Sequence, residues 1–338
     1  MILRLPPGKL HLRKLALLER ILEGVRTGTE PGAALAEVTR VDAAVLPDPW
    51  FQTIAAYALL SCGTALLLGG AAAEVMVSAI VGIVIGILAA VGQRSLRVDR
   101  VFEIAAAFLA TIIVSAWERA VGPIALYVVV IAGVVQLLPG YSLTTALNEL
   151  ANRNLVSGTA RLGGVFVTLL SLACGFALAL GVTNNAVLTG PTVGAGGATP
   201  VSVLGGAALM GVATASILHA RWRDLAWIVG SSVGTVALAR FFAMLGITQT
   251  TPFATAFAVG LATSLAGRYL RIPQAVVLVP ALLVLVPGSL SYQSLLYVFS
   301  ADSTDAVSLA VHVLLASILI VAGFLTSQLV APPARTAR

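Results

Sequence analysis

From residue 50 to residue 330 the chain alternates long apolar runs with short polar joints. Ten runs of membrane length stand out, at about 50–69, 73–92, 101–118, 121–138, 158–182, 200–219, 224–244, 251–267, 271–287 and 305–330. A helix crosses the hydrocarbon layer with about twenty such residues, fewer when it stands upright in a thin bilayer. The pattern therefore predicts an all-α, polytopic membrane protein with about ten transmembrane helices. Gly69-Gly70 and the Arg94/Arg97/Arg100 cluster close their runs sharply, whereas the joints at 119–123 and 268–273 are tight. Ahead of these runs lies a polar region, residues 1–49. There Leu15, Leu18, Leu22 and Val25 recur at helical spacing, with Arg13, Lys14, Arg20 and Glu23 on other faces, which predicts an amphipathic helix. Gly28-Thr29-Glu30 interrupts it, and Pro31 to Val38 reads as a second short helix entered through proline. The polar face of this pair carries nearly as much acid as base, which favours packing beneath a bundle over lying on lipid.

Two apolar runs end in related breaks. Leu137-Leu138-Pro139-Gly140-Tyr141-Ser142-Leu143-Thr144-Thr145 returns, degraded, as Leu285-Val286-Pro287-Gly288-Ser289-Leu290-Ser291-Tyr292-Gln293. Superposing the breaks pairs run 121–138 with run 271–287, and one long final run follows in each half. Each half then holds five spans. An odd number means that the second half enters from the opposite side, giving a 5+5 inverted repeat. The expected division is a cytoplasmic helical region 1–49, a first repeat 50–182, an external linker 183–199 rich in Gly, Thr and Asn, a second repeat 200–330 and a tail 331–338. Matched broken helices in two halves point to a carrier with its substrate site at the breaks.

Composition agrees. Of the 338 residues 59% are hydrophobic and 10% charged, with mean hydropathy +1.00, against roughly a quarter charged in soluble domains. The net charge of +6 does not argue for nucleic acid, because the basic residues lie between apolar runs and not in one patch. With the N-terminus inside, eighteen of the twenty Lys and Arg fall on the cytoplasmic side, leaving Arg119 and Arg240 outside. That asymmetry supports both the count of spans and cytoplasmic N- and C-termini. Cys62 and Cys174 sit within apolar runs and read as packing residues. No metal-ligand cluster, P-loop or dinucleotide fingerprint occurs, so no cofactor, metal or enzymatic chemistry is expected. Gly230-Ser231-Ser232-Val233-Gly234 spells a serine-nucleophile pattern, yet that motif needs a strand-to-helix turn. Here it falls mid-helix, where it reads as close packing, as does Gly82-Ile83-Val84-Ile85-Gly86.

Candidate substrate-binding residues follow from the breaks. Pro139, Gly140, Ser142, Thr144 and Asn148 surround the first, and Pro287, Gly288, Ser289, Ser291 and Gln293 the second. The hydroxyls either cap a helix start or, beside its positive end, offer donors to a carboxylate. Ser157 and Arg161 open the next span; the arginine either snorkels to headgroups or grips a carboxylate. For coupling, His312 lies about two turns inside the last run and titrates near neutrality, and Glu103 lies one turn into its own.

The order Leu68-Gly69-Gly70, Leu137-Leu138-Pro139-Gly140, Leu143-Thr144, Leu150 and Leu155-Val156-Ser157-Gly158-Thr159-Ala160-Arg161-Leu162 resembles the threonine/serine exporter family. Arg271-Ile272-Pro273 with Val286-Pro287-Gly288 resembles its second, smaller module, so that the likeness covers about residues 10–330. It departs in having a shorter N-terminal cytoplasmic region. The resemblance implies an inner-membrane exporter or antiporter of small amino acids such as threonine or serine, driven by protons. A small-dicarboxylate carrier and a passive channel are the alternatives. Partners are then a small-molecule substrate, protons and the lipid bilayer, with a homo-oligomer allowed. The charge pattern makes a direct prediction: reporters fused after residue 194 or 302 should read external, and those after 97 or 222 cytoplasmic. An external signal at 97 would break the ten-span layout.

Overall fold

The computed structural model describes residues 12–43, 49–183, 197–270, 272–285 and 303–331. All regular structure in them is helical. Helices α1 (Leu12–Arg26) and α2 (Pro31–Ala43) form a hairpin whose first member packs against α13 (Gln274–Leu285). The first half continues with α3 (Trp50–Leu67), α4 (Ala72–Gly92), the one-turn α5 (Leu96–Asp99), α6 (Phe102–Ala120), α7 (Leu126–Val134, extended by a 3-10 turn to Leu137), α8 (Gly140–Ala151) and α9 (Leu155–Thr183). The second half holds α10 (Pro200–Ile217), α11 (Leu225–Met244), α12 (Thr251–Leu265, ending in a π turn), α13 and α14 (Ser303–Val330). Six helices among the described residues are long and apolar enough to cross a membrane: Trp50–Leu67, Ala72–Gly92, Leu155–Thr183, Pro200–Ile217, Trp222–Met244 and Val311–Val330. The bent pair α7–α8 makes a seventh if it is one span. The other expected runs are helical too. However, α6 carries Glu103, Glu118 and Arg119, and α12 and α13 have only 15 and 12 residues.

Each half packs its helices in the same order. The second helix (α4 or α11) touches the first, third and fourth, and the third (α6 or α12) touches the last. Fine detail repeats as well. After α3, Gly69 at φ 77 closes the helix through Gly70 N–H to the Ala65 carbonyl at 2.8 Å; after α10, His219 at φ 49 does so through Ala220 N–H to the Ala215 carbonyl at 2.9 Å. A left-handed residue just past the helix is the usual way of satisfying its last carbonyls. A Cβ at Gly175 of α9 would strike the Ile104 carbonyl of α6, and one at Gly323 of α14 the Phe253 carbonyl of α12. A third pair exchanges its members. A Cβ at Gly82 of α4 would lie 2.7 Å from Ser61 Oγ of α3, and one at Gly211 of α10 lies 3.2 Å from Ser232 Oγ of α11.

Small residues also join the halves. A Cβ at Gly63 of α3 would come within 2.7 Å of the Gly206 carbonyl of α10, and one at Gly206 within 2.6 Å of the Gly63 carbonyl. Close backbone approach of this kind substitutes for the hydrophobic driving force that lipid removes. Gly82 and Gly86 meet α3 as expected, but a Cβ at Gly230 or Gly234 would touch nothing within 4 Å. Close packing therefore does not explain the second glycine pair. Gly206→Ala should lower the melting temperature, overpacking the crossing at a cost of about 1–3 kcal/mol. Gly230→Ala should leave it unchanged or raise it, since alanine gains up to about 1 kcal/mol over glycine in a helix. Equal losses in thermal melts of the two variants would contradict this packing.

Candidate functional site

Helix α7 is apolar all round, and residues 124–134 are buried without exception. Such a helix belongs inside a bundle, away from lipid. Leu126–Leu137 rises about 18 Å, short of the ~30 Å hydrocarbon layer. The chain then turns through 57° into α8. The turn is made at Leu138 (φ −65, ψ 122) and Pro139 (φ −80, ψ 36), the extended conformation that proline imposes on the residue before it. Gly140 is already helical and is not in the left-handed region, so proline makes the break and the glycine supplies only slimness. Helix α8 packs against α9, α13 and α14.

No side chain caps α8. Its first internal bond runs from Leu143 N–H to the Pro139 carbonyl at 2.9 Å, so the amides of Gly140, Tyr141 and Ser142 precede the ladder. The capping role expected for Ser142 or Thr144 is thus not the one adopted. Thr144 is 7% exposed and its Oγ1 has no hydrogen-bond partner. Most buried hydroxyls here behave differently: Thr64, Thr111, Thr183, Ser232, Thr263 and Ser317 each donate to the carbonyl one turn back. Ser78 Oγ and Thr255 Oγ1 are likewise buried and unpaired. Such a group costs about 1–3 kcal/mol, and of the three Thr144 is the one in the first turns of the uncapped α8. Leu143 beside it packs with Val165 of α9 and Val313 of α14.

Asn148 lies one turn further along the face of Thr144 and accepts from Asn152 Nδ2 through both its backbone and side-chain oxygens, at 2.9 and 3.3 Å. At the far end of α8, Glu149 Oε1 accepts from Arg161 Nη2 at 2.9 Å and Glu149 Oε2 from Ser157 Oγ at 2.6 Å. Glu149 was not singled out in the sequence. It links α8 to α9 across a turn in which Arg153 takes φ 62. Gly158 lets the helices close, since a Cβ there would lie 2.7 Å from Leu150 Cγ. Arg161 is thus occupied by an internal carboxylate.

The second break, with Pro287, Gly288, Ser289, Ser291 and Gln293, lies outside the described residues. Of the coupling candidates, Glu103 is partly buried in the first turn of α6. His312 is exposed on α14, and its Nδ1 lies 2.7 Å from the Ser308 carbonyl of the same helix. A carbonyl only accepts, so Nδ1 carries the proton. Neither is brought to the α8 start by a contact described here. Ser232, the serine of the nucleophile-like pattern, donates to the Ile228 carbonyl of its own helix at 3.0 Å, and its neighbour Ser231 donates to the Val277 carbonyl of α13 at 2.5 Å. Pro280 lies inside α13 and has no N–H for the Val276 carbonyl one turn back; Ser231 bonds the next carbonyl along, that of Val277.

Residues 2–183 match the family model described as "Putative threonine/serine exporter", and residues 204–330 match "Threonine/Serine exporter, ThrE". The chain is also similar to the pheromone-regulated membrane protein 10 of Debaryomyces hansenii, 29% identical over 241 residues. That match covers 66% of this chain and 23% of the yeast protein's length. No solved structure matches. The site geometry makes its own prediction. Arg161→Lys should bind substrate like wild type, because a lysine can still pair with Glu149. The double variant Arg161→Ala/Glu149→Gln should be no less stable in thermal melts than either single variant. Loss of binding in Arg161→Lys at unchanged stability would place the arginine on substrate instead.

Proposed function

Since the chain belongs to the threonine/serine exporter family, we propose that it exports small amino acids of the threonine/serine type across the inner membrane, as a proton-driven antiporter. The observation that carries this reading is the start of α8: three amides ahead of the helical ladder, and the unpartnered hydroxyl of Thr144. A helix N-terminus favours a carboxylate, and hydroxyls can serve the ammonium or hydroxyl of a small amino acid. Arg161 is held by Glu149, which supports a monocarboxylate over a dicarboxylate that would need further cations.

The architecture in this proposal is ten transmembrane helices in a 5+5 inverted repeat, with α7–α8 as one broken span and both termini cytoplasmic. It is supported by the matching helix ends and glycine contacts of the two halves, and by α1 packing on α13, which starts beside Arg268 on the side assigned to the cytoplasm. The second break, at Pro287-Gly288, is then the counterpart that faces the opposite side, with Ser289, Ser291 and Gln293 as its donors. Alternating exposure of the α8 start to the two sides is how such a repeat would carry substrate.

Two measurements test it. Proteoliposomes loaded with unlabelled threonine should accelerate entry of labelled threonine, which a passive channel does not do. Ser142→Ala with Thr144→Ala should weaken threonine binding by about 1–3 kcal/mol, roughly 5- to 150-fold, if the hydroxyls are donors. Wild-type binding by the double variant, at unchanged expression and melting temperature, would move the site elsewhere.

A further inference from the structure

Glu74, in the first turn of α4, is only 4% exposed. Its Oε2 accepts the Ala71 N–H at 2.9 Å, and its Oε1 accepts the Ala125 N–H at 3.4 Å. Ala71 and Ala125 are the residues just before α4 and α7. One carboxylate thus gathers a free amide from the start of each of two helices, 51 positions apart in the chain. Gly70 makes the room: a Cβ there would lie 3.0 Å from Glu74 Cβ and 3.4 Å from Val128 Cγ1 of α7. A carboxylate taken so far from water is costly unless its oxygens are hydrogen-bonded.

The second half does not repeat this tie. Asp224 stands at the corresponding place before α11 and caps nothing with its side chain. The residue before α13, in the place of Ala125, is Pro273, which has no N–H to give. The helix-end turns and glycine contacts recur in both halves, so the tie is not something the packing pattern itself requires.

Other titratable groups reach this region from the helices packed on α4. Cys62 of α3 donates its thiol to the Val75 carbonyl at 3.8 Å. Tyr127 of α7 is buried. Glu118 and Arg119 end α6, and the Arg119 guanidinium is bonded to the Thr183 carbonyl. Arg97 and Asp99 of α5, and Arg100 just after it, lie at the opposite end of α4. The hydrogen bonds of the Glu74 carboxylate go to the two amides.

We propose that Glu74 is the group whose protonation drives the transport cycle, an inference that rests on reading the chain as a proton-driven exporter. The carboxylate accepts both amides. Adding one proton forms one O–H bond and turns an acceptor oxygen into a donor, which then faces an N–H. The longer contact, to Ala125, is the one that gives way. α7 is released at its start while α4 keeps its own tie. Because α7 is enclosed on every side, its displacement runs along its axis to the Leu138–Pro139 turn and the start of α8. Glu74 is in this sense a positioning residue for the substrate site, acting through α7.

The test uses the full chain in lipid. Hydrogen exchange of the peptide containing Ala125, corrected for intrinsic rate and referenced to a peptide in α9, should rise about tenfold on acidification in the wild type, as expected for loss of one hydrogen bond. In Glu74→Gln it should be fast at every pH, because the amide group cannot accept from both N–H groups. Glu74→Asp should restore a pH response. In proteoliposomes, the ratio of threonine export with and without a proton gradient should exceed one for wild type and fall to one for Glu74→Gln. Exchange at Ala125 that ignores pH in the wild type, or gradient-dependent export by Glu74→Gln, would overturn the proposal. A wild type that moves no threonine yet shows the pH-dependent protection would overturn the substrate reading and leave Glu74 as the proton-binding group.

Discussion

A lipid layer offers no hydrogen bonds, so every amide and carbonyl within it must find a partner in the protein or in a water-filled cavity. Two prolines in the described residues differ in what surrounds them. Pro280 stands inside a continuous helix, where the Ser231 hydroxyl of a neighbouring helix donates to the Val277 carbonyl less than a turn before it. At Pro139 the following helix begins uncapped, with Thr144 buried and unpartnered beside it. In the proposed reading, this uncapped start of a helix that packs on α9, α13 and α14 is what a polar ligand completes.

The rest of the bundle positions that start. α7 has no lipid-facing side, so its position is set at its two ends: by the Glu74 carboxylate before Leu126, and by the Pro139 turn after Leu137. The α8–α9 hairpin is closed separately by Glu149, Arg161 and Gly158. The halves meet at a glycine crossing, Gly63 on Gly206, where the two backbones approach closely, flanked by Leu60, Leu67 and Met210.

Much of this was legible in the sequence. Apolar runs located the described helices from α3 onward except the one-turn α5 and the half-polar α8, which fell between runs, and the Pro-Gly pattern located the break that opens α8. What sequence could not give was pairing across turns. Glu149 meets Arg161 because Arg153 adopts a left-handed conformation, which no periodicity reports. Glu74 resembles the ordinary acid of a helix first turn, and its bond to a residue 51 positions away is invisible until α4 and α7 are packed together. The Gly230/Gly234 spacing misled for the converse reason: a stripe of small residues shows that approach is permitted, and only the fold shows whether a neighbour has taken it.

The central claim is that the α8 start is a substrate site buried in the membrane and open in turn to each side. The most direct measurement places a single cysteine at position 144, with Cys62 and Cys174 replaced by alanine, and labels it with a membrane-impermeant thiol reagent. Labelling should occur from either face of the membrane, and threonine should slow it from both. Labelling from one face alone, or labelling that threonine leaves unchanged from both, would contradict the account.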